Sequence, residues 1–273
     1  MKHFNVAFLT TSFPEQGALH VSPFLKYLFD AIQENGDHPV LVMPSGYRSL
    51  KEAGGILPSL QSSFFSKIMF LVFTLHFLFL ILVKARTCDV IHANWEHPAF
   101  LAIMTRWIHR KKIILTSRST ALIYTKNPLL KSVINFVYNH VDYLVFLSKP
   151  VMEEVKQMYV LRHDYVTYIH NGIQLAPIKE NKQALRKKLG IPQNAFVFLY
   201  VGRLIHGKGV DSAVEAYCDL FSKQNNKPLF YLVGDGGLRE GLLALVRKHG
   251  LEQSVFFCRE PITCESSRIY EIC

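Results

Sequence analysis

Three observations predict an α/β fold with parallel sheets. Short apolar runs of strand length alternate with stretches of helical apolar spacing along nearly the whole chain, the pattern of a mostly parallel sheet covered on both faces. Two of these runs, Phe198–Val201 and Phe230–Val233, end in glycine turns that lead directly into helices. The 273 residues suit one large or two modest domains.

Taken in order, apolar runs predict strands at Val6–Thr10, Pro39–Met43, Val90–Ala93, Ile113–Thr116, Tyr143–Leu147 and Val166–Ile169. The helical spacing between them predicts helices at Pro23–Glu34, Phe65–Lys84, His97–His109, Leu129–His140 and Pro150–Tyr159. A linker is expected near Asn171–Pro177, after which Lys179–Gln183 opens a charged amphipathic helix that runs to Gly190. Strands follow at Phe196–Val201, Phe230–Val233 and Val255–Phe257, with helices at Val210–Phe221 and from Leu238 to Val246. Two domains are therefore expected, 1–176 and 177–273. Only three strand-like runs fall in the second, so it is expected to be incomplete at Cys273.

The chemistry concentrates in the second domain. A strand, a glycine turn and a helix N-terminus form an anion site, because backbone N–H groups and the helix dipole converge there. Gly202 ends one such strand, and Arg203 and Lys208 add two full positive charges at its turn, a combination that suits a diphosphate. Gly202-x₄-Gly207-Lys208 falls short of a P-loop, since Gly209 stands where Ser or Thr would ligate Mg²⁺. Gly234-x-Gly236 likewise falls short of a dinucleotide fingerprint, which has glycine where this chain has Arg239. Gly236 and Gly237 serve equally well as plain tight-turn residues.

Val201-Gly202-Arg203 with Lys208-Gly209, followed by Val233-Gly-Asp-Gly236, resembles the retaining glycosyltransferases of family 4. Ala7–Pro14, Gly36-Asp37-His38, Asp89–Trp95 and His170-Asn171-Gly172-Ile173 extend the resemblance over nearly the whole chain. It implies a GT-B-like fold of two Rossmann-like domains, the second incomplete, with the acceptor on the first and a nucleotide-diphosphate sugar donor on the second. It also implies transfer with retention to a glycan or lipid-linked acceptor, in envelope polysaccharide or glycolipid assembly, without a cofactor or a metal. Arg203 and Lys208 would neutralise the leaving diphosphate. Arg118 stands where relatives carry a histidine near the reacting sugar and would hydrogen-bond the donor or a charged acceptor; an exposed loop arginine is the equal alternative. Substrate contacts are expected from Gly17, Asn171, Gly172, Gly202, Gly234, Asp235, Gly236, Cys258 and Arg259. The family's Glu-x₇-Glu pair is not matched by Glu265 and Glu271, which leaves a non-catalytic remnant as the alternative reading.

Net charge is +10, yet no zinc-finger or helix-turn-helix signature and no basic tract with interleaved aromatics points to nucleic acid. Basic residues lie beside apolar helices, as in Arg106–Lys112, which suits an anionic membrane surface or the donor; a solvated basic face is equally consistent. The five cysteines form neither a disulfide framework nor a zinc site, so a reducing cytoplasm is the expected compartment. Ile68–Val83 is apolar apart from Thr74 and His76. At ~24 Å as a helix it falls short of a ~30 Å hydrocarbon core. It is expected to pack on the first sheet and to rest peripherally on a membrane, with Lys67, Lys84 and Arg86 reaching for headgroups.

Overall fold

A computed structural model describes residues 3–14, 22–45, 64–118, 120–162, 164–173 and 181–258. The chain divides into two compact units, Met1–Gln174 and Leu175–Cys273.

The first unit holds strands β1 (Asn5–Leu9), β2 (His38–Val42), β3 (Val90–Asn94), β4 (Lys112–Thr116), β5 (Tyr143–Phe146) and β6 (Val166–Tyr168). All pair in parallel, in the order β2-β1-β3-β4-β5-β6. The direction of progression reverses between β1 and β3. In an open α/β sheet the crevice for ligands lies at such a switch point, outside the carboxyl ends of the strands. The connecting helices are α1 (Pro23–Glu34), α2 (Phe64–Lys84), α3 (Glu96–Met104), α4 (Arg106–His109), α5 (Thr120–Ile123), α6 (Pro128–His140) and α7 (Lys149–Met158). Proline in the first turn of α1, α6 and α7 gives up an amide that a helix start leaves unbonded anyway. Ala7, Leu9, Ile91, Ile113, Leu115 and Leu144 fill the core between the sheet and these helices.

The second unit begins with α8 (Lys182–Lys188). Its sheet is β7 (Val197–Val201), β8 (Leu229–Val233) and β9 (Val255–Cys258), again parallel and in sequence order. Helices α9 (Val210–Phe221) and α10 (Arg239–Lys248) connect them and bury Val210, Val214, Leu242 and Val246 against Leu232. Arg186 is a buried arginine whose guanidinium donates to the carbonyls of Pro192, Gln193 and Ala195, tying α8 to the entry of β7.

Two expectations need correction. The helix expected over His97–His109 breaks into α3 and α4 at Thr105, whose hydroxyl donates back to the Leu101 and Ala102 carbonyls and competes with the helix ladder. The apolar helix α2 has the expected bounds to within one residue, and its 21 residues reach ~31 Å, long enough for a ~30 Å hydrocarbon core although Ile68–Val83 alone is not. Its packing is one-sided. Phe73, Phe77 and Ile81, one stripe of the helix, are buried in the sheet's core. Lys84, expected to reach for headgroups, instead donates to the Leu41 carbonyl at 3.0 Å.

The polar residue Thr74 is explained by α3. Its hydroxyl lies 3.3 Å from His97 Nε2, and Phe70, Phe73 and Phe77 surround the imidazole. Burial pulls His97 from 6.5 down to about 4, so the ring is neutral in the fold. The unfolded chain takes up that proton near pH 6.5. The stabilisation is therefore complete above 6.5 and is lost as pH falls towards 4, at up to about 1.4 kcal/mol per pH unit. Denaturant unfolding at neutral pH and near pH 5 should show a shallower acid loss for His97→Phe than for the wild type, whereas equal losses would contradict this origin.

Candidate active site

In the first unit, the carboxyl ends of β1, β3 and β4 gather buried polar groups: Thr10, Asn94, Glu96, Thr116 and Ser117. The loop after β4 carries Arg118 into this group. Its Nε donates to Asn94 Oδ1 at 3.0 Å and its Nη1 to Asn171 Oδ1 at 2.5 Å, while its guanidinium lies 4.8 Å from the Phe24 ring centre. Desolvation lowers Arg118 to about 10, which leaves it charged at neutral pH. The structure thus joins two residues selected from the sequence, Arg118 and Asn171, and adds Asn94 and Phe24, which sequence reasoning did not select. Gly172 is exposed, and a Cβ there would meet nothing, so space alone does not require glycine.

Glu96 is a second addition. Trp95 turns the chain from β3 directly into α3 with φ +77°, a backbone state that costs about 1–3 kcal/mol in a non-glycine residue and concentrates at functional sites. Glu96 Oε1 accepts from Ser117 Oγ at 2.5 Å and from Tyr138 OH at 3.2 Å, and its Oε2 is buried without a partner. Burial raises this carboxyl, the Ser117 bond only partly opposing it. His92 is a packed, neutral ring: it bonds Thr116 Oγ1 at 2.8 Å, and burial, with the Arg118 charge second, lowers it to about 4.

In the second unit, the loop from Gly202 to Gly209 leaves β7 and enters α9. Gly209, at φ +73°, caps α9 without a side chain. Arg203 and Lys208 are both exposed, and neither forms an ion pair among the described residues. His206 instead pairs with Asp211 in the first turn of α9. Several amides expected to converge on a ligand are already used. Gly202, Leu204, Gly234 and Leu238 donate to the carbonyls of Val233, Asp235, Cys258 and Leu204. These bonds extend the sheet past its strands, so positive charge here comes from the two side chains and the start of α9.

Gly234 and Gly236 have a firmer structural role than turn-making. A Cβ on Gly234 would run into the Gly202 carbonyl, and one on Gly236 into the Leu204 carbonyl. The two loops meet backbone to backbone. Asp235 Oδ1 accepts from the Gly236 amide. Cys258 contributes its carbonyl to Gly234, while burial raises its thiol. Arg239, which entered the sequence reading only as a mismatch, stacks 5.6 Å from the Phe257 ring with its Nε buried and unpartnered. Gly17 and Arg259 lie outside the described residues.

Two parallel α/β units, the second with a cationic glycine loop at its strand ends, have the architecture of a GT-B glycosyltransferase. Residues 21–177 match Glycosyltransferase Family 4 and residues 181–261 match Glycosyl transferases group 1; the chain belongs to glycosyltransferase family 4. It is 24% identical over 180 residues to the uncharacterized glycosyltransferase MJ1607 of Methanocaldococcus jannaschii, covering 62% of this chain and 46% of that protein. It is 28% identical over 169 residues to the N-acetylgalactosamine-N,N'-diacetylbacillosaminyl-diphospho-undecaprenol 4-alpha-N-acetylgalactosaminyltransferase of Campylobacter jejuni, covering 59% and 43%. The chain spans less than half the length of the curated relatives it matches. Among solved structures it is similar to Anabaena HepE in complex with UDP-glucose, at TM-score 0.68 and 18% identity over 99% of this chain and 72% of that one.

The glycine contacts yield a direct contrast. Gly234→Ala should destabilise the protein by about 1–3 kcal/mol or more, as overpacking against backbone does. Gly237→Ala, whose Cβ would meet open space, should stay within about 0.5 kcal/mol of the wild type. Urea unfolding of both variants checks this, and equal stability would refute the close approach of the two loops.

Proposed function

We propose that this protein acts as a retaining glycosyltransferase. It moves a sugar from a nucleotide-diphosphate sugar to a glycan or lipid-linked acceptor, in envelope polysaccharide or glycolipid assembly at the cytoplasmic membrane face. The observation that carries this reading is the pair of exposed cations, Arg203 and Lys208, on the glycine loop between β7 and α9, neither in an ion pair among the described residues. As the bond from the anomeric carbon to the diphosphate breaks, charge builds on the leaving oxygen. Two cations placed beside that oxygen stabilise it electrostatically, commonly the largest catalytic contribution. The acceptor hydroxyl then attacks from the face the diphosphate leaves and gives its proton to the departing diphosphate oxygen. Similarity to a structure holding UDP-glucose and to an enzyme named for a diphospho-undecaprenol acceptor supports these substrate classes.

The second unit takes the donor in this reading, and the first takes the acceptor. Gly202, Gly234 and Gly236 let the two loops close on each other and so form the edge that the donor meets, Asp235 and Cys258 shape the same edge, and Arg118 and Asn171 act on the acceptor side. Arg203→Ala and Lys208→Ala should each lower sugar transfer by about 10²–10³-fold, measured with labelled UDP- and GDP-sugars on a transferring form of the protein. Variants that transfer at the wild-type rate would remove the basis of the assignment.

Membrane contact is assigned to α2. Its inner stripe is taken up by the protein core, while Phe64, Leu71, Leu75 and Phe79 on the rest of its surface are more than half exposed. Lys67 and Arg86, both exposed, flank this apolar face and suit anionic headgroups. A helix already committed to the sheet on one side rests on the bilayer rather than crossing it. Liposome flotation should fall for Leu71→Gln combined with Phe79→Gln, and alkaline carbonate should release the wild-type protein from membranes. Release by detergent alone would instead mean a span.

A further inference from the structure

One charge at the edge of the first sheet is unbalanced. The Arg118 guanidinium is half-buried and desolvated, yet each of its partners is neutral: Asn94 Oδ1, Asn171 Oδ1 and the face of Phe24. It forms no ion pair among the described residues. Removing a guanidinium from water without a counter-charge costs free energy, which carboxamide oxygens, as partial charges, offset only in part.

The fold places a carboxyl group beside the same loop and does not use it to balance Arg118. Glu96 turns its Oε1 to Ser117 and Tyr138, and burial drives it towards the neutral acid. His92 sends its Nε2 to Thr116 and is neutral as well. The arginine is also held in place. Asn94 is fully buried and anchored to the Leu9 carbonyl at 3.3 Å, so the acceptor for Arg118 Nε does not move. A guanidinium has five N–H donors, and the two Asn bonds engage only its Nε and Nη1. Exposed Asn171 brings the Nη1 side to the protein surface.

We propose that Arg118 is a receptor for an oxyanion, a phosphate or a carboxylate, carried by the substrate bound at the carboxyl edge of the first sheet. This rests on the glycosyltransferase reading for the existence of that substrate and goes beyond it in stating the substrate's charge. An arginine in this setting presents a fork that suits two oxygens at once. The substrate's oxyanion supplies the counter-charge that the protein withholds. The oxyanion has two chemical sources, the phosphate of a lipid-linked acceptor or the carboxylate of an acidic donor sugar.

Calorimetric titration of the full chain separates them. The proteins are the wild type, Arg118→Gln and Arg118→Lys. The probes are farnesyl diphosphate against farnesol, UDP-glucuronate against UDP-glucose, and UDP alone. Arg118→Gln should weaken farnesyl diphosphate or UDP-glucuronate by about tenfold or more, with Arg118→Lys intermediate, while farnesol, UDP-glucose and UDP bind as in the wild type. Loss confined to farnesyl diphosphate assigns the oxyanion to the acceptor; loss confined to UDP-glucuronate assigns it to the donor sugar. The thermal shift produced by the sensitive probe should vanish in Arg118→Gln, whereas an arginine with a purely structural role would lower the melting temperature and leave that shift intact. If both anionic probes bind Arg118→Gln as tightly as the wild type while UDP still binds, the receptor is overturned and the glycosyltransferase reading stands. If the wild type itself fails to bind UDP, the parent reading falls.

Discussion

Parallel pairing is the constraint from which the rest follows. A parallel ladder cannot be closed by a hairpin, so each strand returns through a crossover on a face of the sheet, and every strand ends at the same edge. In the first unit this brings the residues after β1, β3 and β4 together although long stretches of chain separate them: Asn94 bonds the Leu9 carbonyl, and Arg118 bonds Asn94. In the second unit it brings the loops after β7 and β8 so close that glycine is required at Gly234 and Gly236. Both edges are therefore chemical surfaces by construction.

The two edges handle charge differently. In the second unit Arg203 and Lys208 sit in water and cost little to keep. In the first, charge is enclosed, and the surrounding groups are neutral: a packed imidazole at His92, a carboxyl at Glu96 pushed towards its acid form, and two carboxamides. Enclosed polar groups are costly unless each is partnered, so an unbalanced arginine and an unpartnered Glu96 oxygen mark this as the edge with most to gain from a ligand. The strained Trp95 backbone immediately precedes Glu96.

Much of this was legible in the sequence where the signal is local. Helices Pro23–Glu34 and Val210–Phe221 have the bounds their apolar spacing predicts, and the Arg203/Lys208 loop was recognisable because all of its parts fall within eight residues. The break at Thr105 was not legible, since it depends on which way one hydroxyl turns. Nor was the Glu96–Ser117–Tyr138 cluster, whose members come from α3, the loop after β4 and α6. Asn171 was selected as a junction residue, but its partner Arg118 lies 53 positions away, beyond the reach of any periodicity.

The central claim is that the edge of the second sheet, through the Gly202–Gly209 loop and the start of α9, is where a nucleotide diphosphate binds. Hydrogen–deuterium exchange with and without UDP reads this most directly, because amides that contact or lie beneath a bound diphosphate slow their exchange. New protection is expected over residues 203–212 and in the adjoining loop at 234–239, with α2 and α6 unchanged. Saturating UDP that leaves these two segments exchanging as before would contradict it.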